Sequence, residues 1–217
     1  MELEQALESI RPASEQAMEQ AWAHWNDLAL PLHSLGRLQD TVVRIAGMMR
    51  TPQVTLGKKA LVVMCADNGV VEEGVTQSGQ EVTRIVAENF LQEKATAAIL
   101  CKKAGADIFP VDIGIAADSK IINRKIAYGT KNMAKEPAMT RQEVKKALEV
   151  GIAMAEELKE KGYGIIATGE MGIGNTTTSS AVTSVLLEEA PAKVTGRGAG
   201  LTSAGLEKKI EVIRKAI

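Results

Sequence analysis

Three apolar runs of strand length, 60–66 (ALVVMCA), 107–114 (DIFPVDIG) and 163–168 (YGIIAT), alternate with stretches of helical periodicity. Continuous apolar runs of this kind suit parallel strands buried on both faces. Strand, helix, strand, helix, strand, helix then predicts a parallel sheet with helices on its faces. The first 50 residues contain no strand signal. Ala17, Ala21, Trp25 and Leu28 recur at helical spacing within 11–29, with Pro12 placed in a first turn that tolerates it. A second helix over 37–49 sets Leu38, Val42, Ile45, Met48 and Met49 on one face. The expected organisation is a helical portion, 1–50, followed by an α/β domain, 51–217.

Further along, Ser78-Gly79-Gln80-Glu81 reads as a capping box that opens a helix to about 91. A helix over about 94–104 ends at Gly105, and Pro110 inside the second run hints at an edge or a bulge. Residues 121–127 are a weaker strand candidate and 128–139 read as loop. Thr140-Arg141-Gln142-Glu143 is a second capping box; the helix behind it carries Val144, Leu148, Ile152, Ala155 and Leu158 on one face and stops at Gly162. A glycine-rich turn, 169–175, leads into a helix to about 189, a loop over 190–202 and a last helix bearing Leu206, Ile210, Ile213 and Ile217. That last stripe has no stop signal, so a simple terminal helix and a chain that continues in a longer protein both fit.

Composition removes several classes. The net charge is −1 and no charge block is present, which argues against a nucleic-acid or membrane-surface partner. Aromatic residues are 3% of the chain, too few for a base-stacking platform. Cys65 and Cys101 are far apart in apolar company and read as reduced core thiols. With His24 and His33 the only histidines, neither a histidine metal site nor a Ser-His-Asp site is expected, and no metal is assigned. The acidic N-terminus lacks an apolar signal segment and no apolar run is long enough to span a bilayer, so a cytoplasmic location is expected.

Ligands in open parallel sheets bind beyond the carboxyl ends of the strands. That rule selects Asp67, Asp112 and Glu170, each following or closing an apolar run; a loop-capping role is the plainer reading of each alone. The strongest local signal is Gly169-Glu170-Met171-Gly172-Ile173-Gly174-Asn175-Thr176-Thr177. Glycines let backbone N–H groups approach a ligand, and a following helix start favours an anion. A phosphate cradle follows, although the segment is neither G-x-x-x-x-G-K-[ST] nor G-x-G-x-x-G, and a tight turn that binds nothing is the alternative. Thr195-Gly196-Arg197-Gly198-Ala199-Gly200 is a second glycine-rich segment, a flexible loop being its equal alternative. Lys208 and Lys209 follow it, either as a solvated face or as a charge on a phosphate. Ser78 is an N-cap, a pocket residue, or both.

Four ordered motifs, LPLHSLGRLQDTVVRIAGM (30–48), CADNGVVEEGVTQSGQEVT (65–83), GEMGIGNTTTSSAV (169–182) and TGRGAGL (195–201), together resemble the nicotinate-nucleotide–dimethylbenzimidazole phosphoribosyltransferases of cobalamin lower-ligand assembly. The resemblance runs from about residue 10 to 217. It implies an α/β fold: a parallel Rossmann-like sheet with flanking helices plus a small helical N-terminal subdomain. It implies transfer of the 5-phosphoribosyl group of nicotinate mononucleotide to 5,6-dimethylbenzimidazole, giving α-ribazole 5′-phosphate and nicotinate, with no cofactor, in a homodimer. Gly172, Ile173, Gly174, Asn175, Thr176 and Thr177 would bind the 5′-phosphate. Glu170 would hold the ribose hydroxyls or balance ribosyl positive charge, and Gly196 and Gly198 would line the nucleotide site. Lys209 aligns with a phosphate-facing lysine, and Ser78 falls in the benzimidazole pocket.

Two departures accompany the resemblance. Asn68 stands where the family commonly has His after Ala-Asp. Family members are also much longer, and their general base is a glutamate in a Gly-Glu-Gly-type motif. This sequence has GEM at 169–171 and EEG at 72–74 but no Gly-Glu-Gly. A positioned base contributes roughly 10²–10⁴ in rate. The 217 residues alone are therefore expected to bind donor weakly or not at all and to turn over slowly or not at all, and a non-catalytic nucleotide-binding or partner subunit is the alternative.

Overall fold

The computed structural model describes residues 1–217 and divides them into two compact units, Met1–Gly57 and Lys58–Ile217. The first is all helical: α1 (Leu3–Ser9), α2 (Glu15–Asn26) and α3 (Arg37–Met49). No sequence pattern announces α1. Helix α2 begins later than its periodicity suggests because Ser14 is its N-cap, accepting a hydrogen bond from the Ala17 amide, so Pro12 lies outside the first turn. The limits of α3 are as expected, but its buried face is not. Gln39, Val43, Ala46 and Gly47 turn inward while Leu38, Met48 and Met49 are exposed. Small residues decide this: a Cβ on Gly47 would sit 2.7 Å from Met18 Cγ, so α2 and α3 approach closely only along the Ala46–Gly47 side.

The second unit is built on a four-stranded parallel sheet of order β3-β2-β1-β4, formed by β1 (Lys58–Ala66), β2 (Ala106–Gly114), β3 (Ile122–Asn123) and β4 (Tyr163–Met171). Helices α4 (Glu81–Leu91) and α5 (Thr96–Ala104) link β1 to β2, and α6 (Arg141–Glu160) links β3 to β4. After β4 come α7 (Asn175–Leu186), the short α8 (Pro191–Val194) and α9 (Ser203–Ala216). The two-residue period of β1 divides its side chains between two cores. Val63 and Cys65 pack with Ala87 and Phe90 of α4, Ala98 of α5, and Ile115 and Ile121. Ala60 and Val62 pack on the other face with Val111 of β2 and Met154 and Leu158 of α6.

Several local expectations are revised. Pro110 lies in β2, between two neighbours, yet β3 pairs only with Val111 and Asp112, so the strand has a neighbour on one side alone up to the proline. The Thr140–Glu143 capping box forms in full, but α6 buries Met154 and Leu158 and leaves Val144 and Leu148 exposed. Gly162 terminates α6 with φ +84°. Ser78 caps no helix: α4 begins at Glu81, its N-cap is Gln80, and the Gly79 and Gln80 carbonyls accept from the Val82 and Thr83 amides. Finally, β4 runs to Met171, so Gly169 and Glu170 are strand residues and the turn contracts to Gly172–Gly174. No helix is long and apolar enough to cross a membrane.

Candidate functional site

The carboxyl end of β4 carries the candidate site. A cavity of about 140 Å³ is lined by Val75–Ser78 from the loop before α4, by Ile173–Thr176 from the glycine turn and the start of α7, and by Arg197–Ala199 and Leu201. Three segments far apart in sequence therefore meet there. The Gln77 side chain ties two of them, its Nε2 donating to the Gly200 carbonyl at 2.6 Å.

The remaining candidates connect to this wall by a chain of polar contacts. Glu170 is exposed, and its Oε1 accepts from Asn175 Nδ2 at 2.6 Å. Asn175 Oδ1 in turn accepts from the Thr176 amide at 2.7 Å. Lys209, from α9, donates from Nζ to Thr176 Oγ1 at 2.7 Å and to the Gly196 carbonyl at 3.1 Å. Lys209 is 1% exposed and its pKa is lowered from the ordinary 10.5, because burial penalises the charged form. Gly198 adopts φ +58°, and a Cβ there would lie 2.8 Å from Thr176 Oγ1 and 3.5 Å from Lys209 Nζ. The glycine thus keeps space open over the lysine–threonine pair.

The cradle differs from the expected one in its donors. The Ile173 amide is held by Thr83 Oγ1 at 3.0 Å, the Asn175 amide by the Gly172 carbonyl and the Thr177 amide by the Gly174 carbonyl. The amides of Ile173, Asn175, Thr176 and Thr177 are thus engaged within the fold, and side chains of Asn175, Thr176 and Lys209 supply the polar groups at hand. Thr177 is fully buried beneath the turn and does not line the cavity; nor do Glu170, Gly172, Gly196 or Lys209. Gly172 has a steric reason of its own, since a Cβ would fall 2.1 Å from the Ala66 carbonyl oxygen. Ser78, by contrast, lines the cavity with its side chain uncommitted to any cap.

Two of the three rim acids are buried, and one Asp67 oxygen, Oδ1, has no hydrogen-bond partner. Asp67 is buried and its Oδ2 accepts from the Ala116 amide at 2.8 Å. Asp112 is buried, accepts from the Ile115 amide and Ser119 Oγ, and pairs with Lys125 at 3.0 Å. A second, larger cavity of about 300 Å³ at the ends of β1 and β2, with Ile113, Ile126, Tyr128 and Met139 in its wall, contains none of the candidate residues. Asn68, Gln80 and Thr83 touch the turn or its support, and no local pattern in the sequence marks them for that task.

The fold and this site define an α/β protein whose polar cluster lies at the carboxyl end of a parallel strand, where nucleotide-type ligands bind. The chain belongs to the phosphoribosyltransferase family, whose model matches residues 10–217. It is 45% identical over 218 residues to a nicotinate-nucleotide–dimethylbenzimidazole phosphoribosyltransferase of Clostridium tetani, covering 99% of this chain and 60% of that protein. The like-named protein of Ruminiclostridium cellulolyticum is 46% identical over 220 residues, covering 100% and 62%. The crystal structure of CobT from Thermus thermophilus superposes with a TM-score of 0.86 at 36% identity, covering 92% of this chain and 61% of that one. The chain thus spans about 60% of the length of the relatives it matches.

Proposed function

We propose that this chain carries the donor-nucleotide site of an enzyme that transfers the 5-phosphoribosyl group from nicotinate mononucleotide to 5,6-dimethylbenzimidazole, yielding α-ribazole 5′-phosphate and nicotinate for cobalamin assembly. One observation supports this most: Glu170, Asn175, Thr176, Lys209 and Gly196 form a single contact chain beside the cavity that Ser78 and Gly198 line. In this reading the Lys209 ammonium, the Thr176 hydroxyl and the Asn175 amide hold the 5′-phosphate at the start of α7, whose dipole favours an anion. Ile173, Gly174 and Gly198 line the nucleotide, with Gly172, Gly196 and Thr177 shaping the turn and loop behind it. Glu170 faces the ribose, orienting its hydroxyls and balancing the charge that develops on the sugar.

The donor's ring nitrogen is already cationic, so nicotinate departs with the C1′–N electron pair. The unprotonated ring nitrogen of the benzimidazole attacks C1′ from the opposite face, inverting the anomeric centre, and the proton on its other ring nitrogen passes to a base. Ser78 belongs to the acceptor side of the cavity. We also propose a helical portion followed by an α/β nucleotide-binding domain, the sequence setting the boundary at 50/51 and the compact units meeting at Gly57/Lys58; a homodimer and a cytoplasmic location are proposed on the family resemblance.

The test is to incubate the natural gene product with both substrates and separate the products by chromatography and mass spectrometry. Nicotinate and α-ribazole 5′-phosphate are expected in equal amounts, with Glu170→Gln lowering kcat by roughly 100-fold, the scale of one lost transition-state contact. Binding of nicotinate mononucleotide with no release of nicotinate overturns the enzymatic reading in favour of a nucleotide-binding subunit.

A further inference from the structure

Ile173 is the one residue between the two glycines of the turn, and both of its peptide groups are held from a distant part of the chain. Its amide donates to Thr83 Oγ1 at 3.0 Å, and its carbonyl accepts from Asn68 Nδ2 at 3.0 Å. The partners are 90 and 105 residues away in sequence. Asn68 Oδ1 also accepts from the hydroxyl of Thr178, one turn into α7, at 3.2 Å. The Asn68 carbonyl is itself fixed by Gln80 Nε2 at 3.1 Å. The same segment moulds the flanking glycines. A Cβ on Gly172 would meet the Ala66 carbonyl oxygen at 2.1 Å; one on Gly174, whose φ is +88°, would meet Val71 Cγ2 at 2.8 Å and Asn68 Cβ at 3.2 Å.

We infer that Asn68 and Thr83 are positioning residues for the nucleotide site: they clamp Ile173 from both sides and thereby fix where Asn175 and Thr176 stand against the cavity. Thr83 is fully buried in α4 and Asn68 is half-buried behind the turn, and neither lines the cavity. Their effect on a ligand therefore passes through the turn. A turn held at one residue by two hydrogen bonds has little freedom to shift, and misplacement of binding groups by about 1 Å is costly where orientation matters. Loss of either bond would also leave a peptide group of Ile173 without its partner.

This inference rests on the phosphate-binding reading of the site, and the experiment separates the two. Asn68→Ala and Thr83→Val are made in the natural gene product, singly and each together with Lys209→Met. Affinity for nicotinate mononucleotide is measured by calorimetry, and amide hydrogen exchange is followed at Ile173 and Gly174. Each single variant is expected to speed Ile173 exchange roughly tenfold and to weaken the mononucleotide about tenfold, the scale of one lost hydrogen bond. Combined with Lys209→Met, neither should add its full factor, because all three act on one phosphate; a merely structural role would multiply. Unchanged affinity despite faster exchange, or unchanged exchange, overturns the clamp. If the unaltered gene product binds no mononucleotide, the functional reading fails, while the exchange data still decide the clamp. Should Thr83→Val fail to fold, Asn68→Ala carries the test.

Discussion

Two largely buried lysines stand at the same rim of the sheet in opposite electrostatic settings. Lys125 closes the end of β2: its ammonium lies 3.0 Å from the buried Asp112 carboxylate, donates to the Ile115 and Ala117 carbonyls and stands 4.4 Å from the centre of the Tyr128 ring. Lys209, beyond β4, is buried still more deeply but has only a hydroxyl and a carbonyl as partners. A cation whose charge is already answered contributes to the fold. A buried cation lacking an anion is at a cost until an anion arrives. The carboxylates repeat the contrast, for Asp112 is buried with both oxygens engaged, while Glu170 is exposed and bonded to Asn175. The β2 end is finished as structure; the β4 end is unfinished in the way a binding site is.

The largest effect should come from breaking the finished end. Asp112→Ala leaves the Lys125 ammonium without its counter-charge in a site where its side chain is 10% exposed. Removing one member of a buried pair costs about 3–5 kcal/mol, and urea denaturation should show a correspondingly lower midpoint. Mononucleotide affinity of the folded fraction should not change.

The opposite pattern is expected at Lys209. Lys209→Met removes a desolvated charge, so stability should move by no more than about 1 kcal/mol and can rise. Affinity for nicotinate mononucleotide should fall about 10- to 100-fold, the worth of a charge-assisted bond at about 1.5–3 kcal/mol. Calorimetric titration beside urea denaturation reads both. Equal losses of stability in the Asp112 and Lys209 variants would erase the distinction between the two ends.

A smaller, pH-dependent effect sharpens it. The folded pKa of Lys209 is lowered beneath 10.5, so between the two values the unfolded chain binds the extra proton. Stability contributed at this site therefore rises with pH across that window and is flat below the lowered value. Phosphate favours the charged form, so mononucleotide affinity should decline as pH climbs through the same lowered value. Lys209→Met should flatten both curves.

Which parts of this were legible in the sequence depends on how far apart the determining residues lie. Helix α3 from Arg37 to Met49, the Thr140 capping box, the Gly162 stop and the apolar strand runs are local chemistry, and each was readable. The buried faces of α3 and α6 were not. Both helices carry apolar residues on more than one side, and the side that turns inward is chosen by partners such as Met18 against Gly47. Periodicity alone favoured Leu38 and Leu148, which are 57% and 50% exposed. Ser78, Gly198 and the glycine turn line one cavity, and only the family motifs link them in the sequence. The engaged amides of that turn, and the hold of Asn68 and Thr83 on Ile173, have no local signature, because the two side chains that grip Ile173 come from a strand end and a helix 105 and 90 residues earlier.

Cys65 offers the smallest test of the contrast. It lies in β1 beside Asp112 in the sheet register and has no exposed surface. Burial, and then the nearby Asp112 charge, push its thiol from 9.0 up to about 12. Thiolate is the reactive form, so the native protein should show no labelling of Cys65 by a disulfide reagent at about pH 8 over hours, while the urea-unfolded chain reacts at once. Asp112→Ala should speed native labelling modestly, first by admitting transient opening and second by removing a charge that opposes thiolate. Lys209→Met, beyond β4 on the same rim and apart from Asp112, should leave the labelling rate as it was. Fast labelling in the unaltered protein would mean that the β2 end opens as readily as the β4 end, and the difference drawn between them would then have to rest on Lys209 alone.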